Sequence, residues 1–291
     1  ASRHVPESRD TSSSGRLDVP GAVLGAAALA AITYGLTAQE WLICVVGAVL
    51  AVTFVIFELR GRAPMVPMHI FRSAQFSATN VVTFLLYGAF AAALFMLGLV
   101  LQGPLDYSPL LAGAATVPLT IMMLLFSARA GALAQRIGPR IPMTVGPLLC
   151  AAGFALLTLV EPGRSYVEAV LPGILVFAAG LTLTVAPLTT TALSSVTSQL
   201  AGIASGVNNA VARTGSLVAV AGIPVIAGFT AGEAVDDATL LDGYQNVLWA
   251  SAGVALAAAI VAAAWIRTIA PEAEPPFHCA STGPPVSVTA D

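Results

Sequence analysis

Lysine is absent from this chain and charge of either sign is scarce: charged residues make up 9% of the sequence, against 57% hydrophobic ones. A soluble domain carries roughly 25% charged residues on its surface. That surface cannot be assembled here, so a water-soluble fold is excluded and lipid is the expected solvent. The 12 basic residues are all arginines, and they stand singly at the ends of apolar runs. No continuous basic patch could track phosphates, which excludes nucleic acid as a partner. Cysteine is equally sparse. Cys44 and Cys150 fall inside apolar runs and Cys279 in a polar tail, a spacing that fits neither a disulfide framework nor a metal site. His278 beside Cys279 supplies too few ligands for zinc. All three histidines lie outside the apolar runs, so a membrane-embedded hydrolase has no base. The residues therefore predict no enzyme, no catalytic residue, no metal and no cofactor. No secretory signal is visible, and the chain starts at Ala1, which suggests a truncated or processed chain.

What is present in abundance is long charge-poor segments. A hydrocarbon core of roughly 30 Å needs about 20 apolar residues in helical form. Eight runs of that kind emerge: Val19 to Ala38, Trp41 to Phe57, Ala78 to Leu101, Pro109 to Ala128, Ile141 to Val160, Ala169 to Leu193, Val207 to Ala231 and Gln245 to Ile266. They show no period-2 alternation, so helices are predicted over barrel strands. Between the sixth and seventh, the stretch from Ser194 to Asn209 is rich in Ser, Gly and Asn and reads as a short cytoplasmic turn. No Asp, Glu or Arg is expected near the middle of a span.

The arginines fix an orientation, because short cytoplasmic loops retain positive charge. Arg3, Arg9 and Arg16 precede the first run; Arg60, Arg62 and Arg72 follow the second; Arg129, Arg136 and Arg140 follow the fourth. Arg213 is read as opening the seventh run and Arg267 as closing the eighth, and Arg164 alone falls on the opposite side. Both termini are thereby expected in the cytoplasm. Residues 1–18 and 270–291 are rich in Ser, Pro and charge and are expected to be disordered. The fold class predicted from the residues is an all-α polytopic membrane protein with about eight transmembrane helices, packed closely through Ala, Gly and Thr.

One local pattern is specific. Gly131-Ala-Leu-Ala-Gln-Arg-Ile-Gly-Pro-Arg140 reads as a tight basic turn between the fourth and fifth spans. It resembles the signature loop of the major facilitator superfamily, Gly-x-Leu-Ala-Asp-Arg-x-Gly-Arg-Arg, in which charges latch neighbouring helices. Gly131, Arg136, Gly138 and Arg140 match, whereas Gln135 replaces the usual Asp. Further stretches are similar to the fourteen-helix drug:proton antiporters of that superfamily. They are Leu17-Asp-Val-Pro-Gly21, Arg62-Ala-Pro-Met-Val-Pro-Met68, Phe71-Arg-Ser, Val145-Gly-Pro-Leu-Leu149, Val185-Ala-Pro-Leu-Thr189 and Ala201-Gly-Ile-Ala-Ser-Gly-Val-Asn-Asn-Ala-Val211.

The resemblance implies a major facilitator-type helical bundle with a definite division of the chain. Residues 19–59 would be two linker helices, 60–77 a cytoplasmic loop and 78–269 the C-terminal six-helix bundle of a transporter whose N-terminal six-helix half is missing. It implies a bacterial plasma membrane, protons and a small organic substrate as partners, and proton-driven efflux of lipophilic drugs or metabolites. A non-transporting fragment or membrane scaffold is the alternative. Candidate cavity residues are the few polar ones within or beside spans: Asn80, Thr83, Tyr87, Thr184, Asn208, Asn209 and Arg213. Arg213 is placed to reach either the cytoplasmic surface or the cavity. Pro118, Pro147, Pro187 and Pro224 are candidate hinges, since each frees a carbonyl. Thr182, Thr184 and Thr189 stand close enough to Pro187 to occupy such groups.

Overall fold

Inside lipid a backbone N–H or C=O finds no water, so each apolar run satisfies its own ladder by coiling. The computed structural model describes residues 18–61, 66–230 and 233–267, and no strand occurs among them. In chain order the helices are α1 (Val19–Thr37), α2 (Trp41–Arg60), α3 (Ala74–Gln102), α4 (Pro109–Ala114), α5 (Val117–Ile137) and α6 (Arg140–Leu157). They continue with α7 (Tyr166–Ala169), α8 (Leu171–Ser194), α9 (Ala201–Ala221), α10 (Ile223–Ala227) and α11 (Asp237–Trp265). Seven segments are long and apolar enough to cross a membrane, with α4 and α5 counted together. The segments expected to be disordered lie outside the described residues, apart from Asp18.

Starts and stops follow local chemistry. Asp18 caps α1 by accepting from the Gly21 N–H at 2.9 Å, and Ser73 caps α3 through the Phe76 N–H at 3.3 Å. Asp236 accepts from the Thr239 N–H at 2.8 Å, and hydrogen bonds from Thr239 hold its carboxyl below the usual range. Ser165 and Glu168 form a capping box around α7, and bonds from Ser165 likewise lower the Glu168 carboxyl.

Two helices, α1 and α2, form an antiparallel hairpin that touches the rest mainly through α1 against α9 and α10. The others make one bundle in which α3 lies between α9 and α11, α11 also packs on α6, and α8 lies between α6 and α5. Helix association in lipid gains little from the hydrophobic effect and rests on close packing and hydrogen bonds. Small residues supply that closeness. A Cβ on Gly180 would overlap the Gly146 carbonyl oxygen and sit 2.7 Å from the Cys150 amide nitrogen, while one on Gly153 would lie 2.6 Å from the Phe177 nitrogen. Phe177 fills the centre, with ring centroids 4.9 Å from Phe154 and 5.5 Å from Phe90. The Tyr244 hydroxyl, buried between α11 and α6, donates to the Leu157 carbonyl at 2.9 Å.

Several boundaries differ from the sequence expectation, each for a physical reason. The Ser/Gly/Asn-rich stretch is a turn only at 195–200; Ala201 to Asn209 are already the first turns of α9. The signature segment is not a turn from Gly131 onward, because α5 continues to Ile137 and reverses only at Gly138, whose φ of 84° suits a residue without a Cβ. Pro118 and Pro224 do not sit inside a helix. Each occupies the first turn of a new one, α5 and α10, where its missing N–H costs nothing. The carbonyl of Ala115, left at the α4–α5 break, accepts from the Tyr166 hydroxyl at 3.0 Å. Pro147 and Pro187 do lie within α6 and α8. The threonines near Pro187 leave the carbonyl it frees, that of Leu183, alone: Thr182, Thr184 and Thr189 donate to Ala178, Gly180 and Val185.

The seventh run is the exception to lipid solubility. It corresponds to α9 and α10, and α9 has the length of a span but not the hydropathy, because Ser, Asn, Thr and Arg interrupt it. A helix that polar needs protein or water along one side.

Candidate functional site

The polar residues of α9 divide between two of its faces. Asn208 points into α3 and is buried; its amide donates to Thr83 Oγ1 at 2.8 Å and to Asn80 Oδ1 at 3.3 Å. The α3 partners are themselves fixed, since Asn80 donates to the Phe76 carbonyl at 2.9 Å and Thr83 to the Thr79 carbonyl at 2.9 Å. Two turns on, Ser216 donates to the carbonyls of Ala212 and Tyr87. Between them Gly215 lets the backbones meet, as a Cβ there would fall 2.5 Å from the Phe84 carbonyl oxygen. A buried side-chain hydrogen bond between membrane helices is worth about 0.6 kcal/mol and up to about 1.7. Asn208→Ala removes two, so it lowers the stability of the complete protein by about 1 kcal/mol, read as an earlier thermal transition in detergent. An unmoved transition would show that the triad does not hold α9.

The opposite face is uncovered. Asn209 and Arg213, one turn apart, are exposed, and Tyr87 of α3 is half-buried. Arg213 does not open its span as the sequence suggested. It is the thirteenth residue of α9, about 18 Å along the helix axis from its start at 1.5 Å per residue. With α10 continuing beyond, Arg213 stands well inside the α9–α10 stretch and not at its start. The helix of the seventh run begins earlier than expected, at Ala201, and carries Arg213 in its second half. No salt bridge to it occurs among the described residues.

The candidate residues thus fall into three groups. Asn80, Thr83 and Asn208 form a buried brace, and Tyr87, Asn209 and Arg213 border the open face. Thr184 belongs to neither, being buried where α8 crosses α6, with its hydroxyl on the Gly180 carbonyl at 2.8 Å. In the signature segment, Arg140 donates to the Ala263 carbonyl at 3.1 and 2.6 Å through Nε and Nη2, which ties the start of α6 to the last turn of α11. Gln75 and Arg267 exchange a reciprocal pair of bonds at the same end, 3.2 and 2.9 Å. Sequence reasoning did not find Ala263 or Gln75. Both contribute through a carbonyl or an amide at a helix end, for which only the arginine run gave a signal. A Cβ added at Gly131 would meet the Ala186 Cβ at an ordinary 3.7 Å, and Arg136 is exposed. Among the described residues no cluster of three or more His, Cys, Asp or Glu could hold a metal.

A bundle of membrane-length helices, latched at one end by arginine and carrying an exposed arginine on its most polar helix, has the form of a polytopic transporter. The model of the Major Facilitator Superfamily matches residues 20–220, and the chain belongs to that family. It is 31% identical over 289 residues to the puromycin resistance protein pur8 of Streptomyces alboniger, covering 91% of this chain and 56% of the relative. Over 144 residues it is 35% identical to the tetracenomycin C resistance and export protein of Streptomyces glaucescens, covering 46% and 27%. The lincomycin resistance protein of Streptomyces lincolnensis is 31% identical over 175 residues, covering 57% and 36%. The chain spans about half the length of the first of these relatives.

Proposed function

We propose that this chain is the C-terminal part of a fourteen-helix drug:proton antiporter. The hairpin of α1 and α2 links two bundles, and α3 to α11 form the second. The whole protein exports small lipophilic drugs or metabolites across a bacterial plasma membrane, driven by the proton gradient, with both termini cytoplasmic. The names of the relatives, for resistance and export, support the substrate class, and the arginine-bearing ends support the orientation. The observation that carries the reading is Arg213, thirteenth residue of α9, on an uncovered face one turn from Asn209. Transporters with paired repeats bind substrate near the midplane, between two bundles that rock past one another. Arg213, Asn209 and Tyr87 then form the wall turned toward the other bundle, and a carboxylate there balances the guanidinium. The brace of Asn80, Thr83 and Asn208 keeps α9 seated while the wall moves.

The test is dye transport in vesicles containing the complete gene product. Export of a lipophilic cation such as ethidium is expected to follow an imposed pH gradient and to stop when an ionophore collapses it. Export that persists without the gradient would reject proton coupling, and no movement at all would favour a non-transporting scaffold.

A further inference from the structure

Glu58 is a carboxylate near the end of the apolar helix α2, at the foot of the hairpin, and it is 2% exposed. One oxygen, Oε2, accepts from the Val66 N–H at 3.1 Å and so holds the loop that leads toward α3. The other, Oε1, is buried and has no hydrogen-bond partner among the described residues. Arg60, on the same helix, is exposed and makes no ion pair with it. A buried charge is ordinarily paired or bound to a metal, because losing its hydration is otherwise too costly.

A second carboxylate faces the same spot from the start of α1. A Cβ built on Gly21 would lie 2.7 Å from Asp18 Oδ2 and 2.8 Å from Glu58 Oε1, so two free oxygens converge where glycine leaves room. Each carboxylate is aimed there by its other oxygen, since Asp18 Oδ1 accepts from the Gly21 N–H at 2.9 Å as Glu58 Oε2 does from Val66. Outer hydrogen bonds orient metal ligands in this way. Like charges so placed repel, and a cation beside both removes the repulsion. Hard oxygen donors select a hard ion, and Mg²⁺ is commonly held by one or two carboxylates with water completing its shell. The burial of Glu58 closes it to a long basic side chain from another bundle, whereas a small ion enters past the half-buried Asp18.

We propose that Asp18 and Glu58 bind a divalent cation of the Mg²⁺ class at the foot of the hairpin. The ion joins the start of α1 to the end of α2 and, through the Val66 bond, to the loop that enters the bundle. It staples the hairpin to the chain that follows it. The inference depends neither on what is exported nor on proton coupling.

The experiment titrates Mn²⁺, a paramagnetic stand-in for Mg²⁺, into the complete protein in a maltoside detergent, which carries no phosphate, and follows the loss of the free Mn²⁺ resonance. The parent is expected to take up Mn²⁺ and to release it to excess Mg²⁺. Glu58→Gln and Asp18→Asn keep the size of the side chain and its acceptor oxygen, and each should weaken uptake about tenfold or more. Glu40→Gln, at an exposed carboxyl before the other end of α2, should bind as the parent does. A parent that takes up no Mn²⁺, or uptake unchanged in both Glu58→Gln and Asp18→Asn, would overturn the proposal. So would a Glu58→Gln protein that melts later than the parent with or without Mg²⁺, since a proton would then be what answers the buried oxygen.

Discussion

Arg213→Ala in the complete transporter is expected to lower ethidium export by about a hundredfold, a loss of roughly 2.7 kcal/mol at the rate-limiting barrier. Membrane insertion should be unchanged. Arg213 lies about 18 Å along α9 from its start, well away from the helix end at which a long basic side chain ordinarily reaches lipid phosphate. A guanidinium at that depth is tolerated only against protein or a water-filled space. Asn209 and Tyr87 provide polarity but no negative charge, so on the proposed reading a balancing group would come from the facing bundle or from what passes between. Arg213→Lys keeps the charge and loses the planar fork, and is expected to retain part of the activity. Wild-type export by Arg213→Ala, measured at matched membrane abundance, would remove the residue from the transport path.

Gly180→Leu is expected to destroy the fold rather than the transport step. Its Cβ would overlap the Gly146 carbonyl oxygen and press the Cys150 amide at 2.7 Å, and neither is a side chain that can turn away. Overpacking a core with flexible neighbours costs about 1–3 kcal/mol. Here backbone meets backbone, so α6 and α8 must separate, and with them the Phe154–Phe177 contact at 4.9 Å. The protein should fail to elute as a single species in detergent. Gly98→Ala is the control, because nothing lies within 4 Å of a Cβ there, and it should match the parent. A monodisperse, thermally unchanged Gly180→Leu protein would show that the crossing is looser than described.

Hydropathy made most of the fold legible. Runs such as Ala78 to Leu101 lie wholly within their helices, here α3, because lipid on one side and protein on the other both favour apolar residues. The failures concentrate where that coincidence ends. Ser205, Asn208 and Asn209 look like a turn to a scale that prices contact with lipid, yet they are helical, because α3 and a polar face receive them. The same blindness put Arg213 at a span's edge. Pro118 and Pro224 were legible as breaks but not as starts, since only coordinates reveal which side of the proline the ladder resumes. Among candidate site residues, type and helical spacing grouped Asn80, Thr83 and Tyr87 on α3. They could not separate the buried brace from the open wall, which depends on how α9 is rotated.

The polarity of α9 bears on how such a protein is made. A segment carrying arginine at its centre gains little from oil, and the insertion machinery prices that residue at about 2.5–3.5 kcal/mol. Its residence in the bilayer is a property of the group of helices rather than of the segment. Tallies of crossings made from solubility in oil therefore come up short at a helix whose polar side chains answer to neighbouring helices instead.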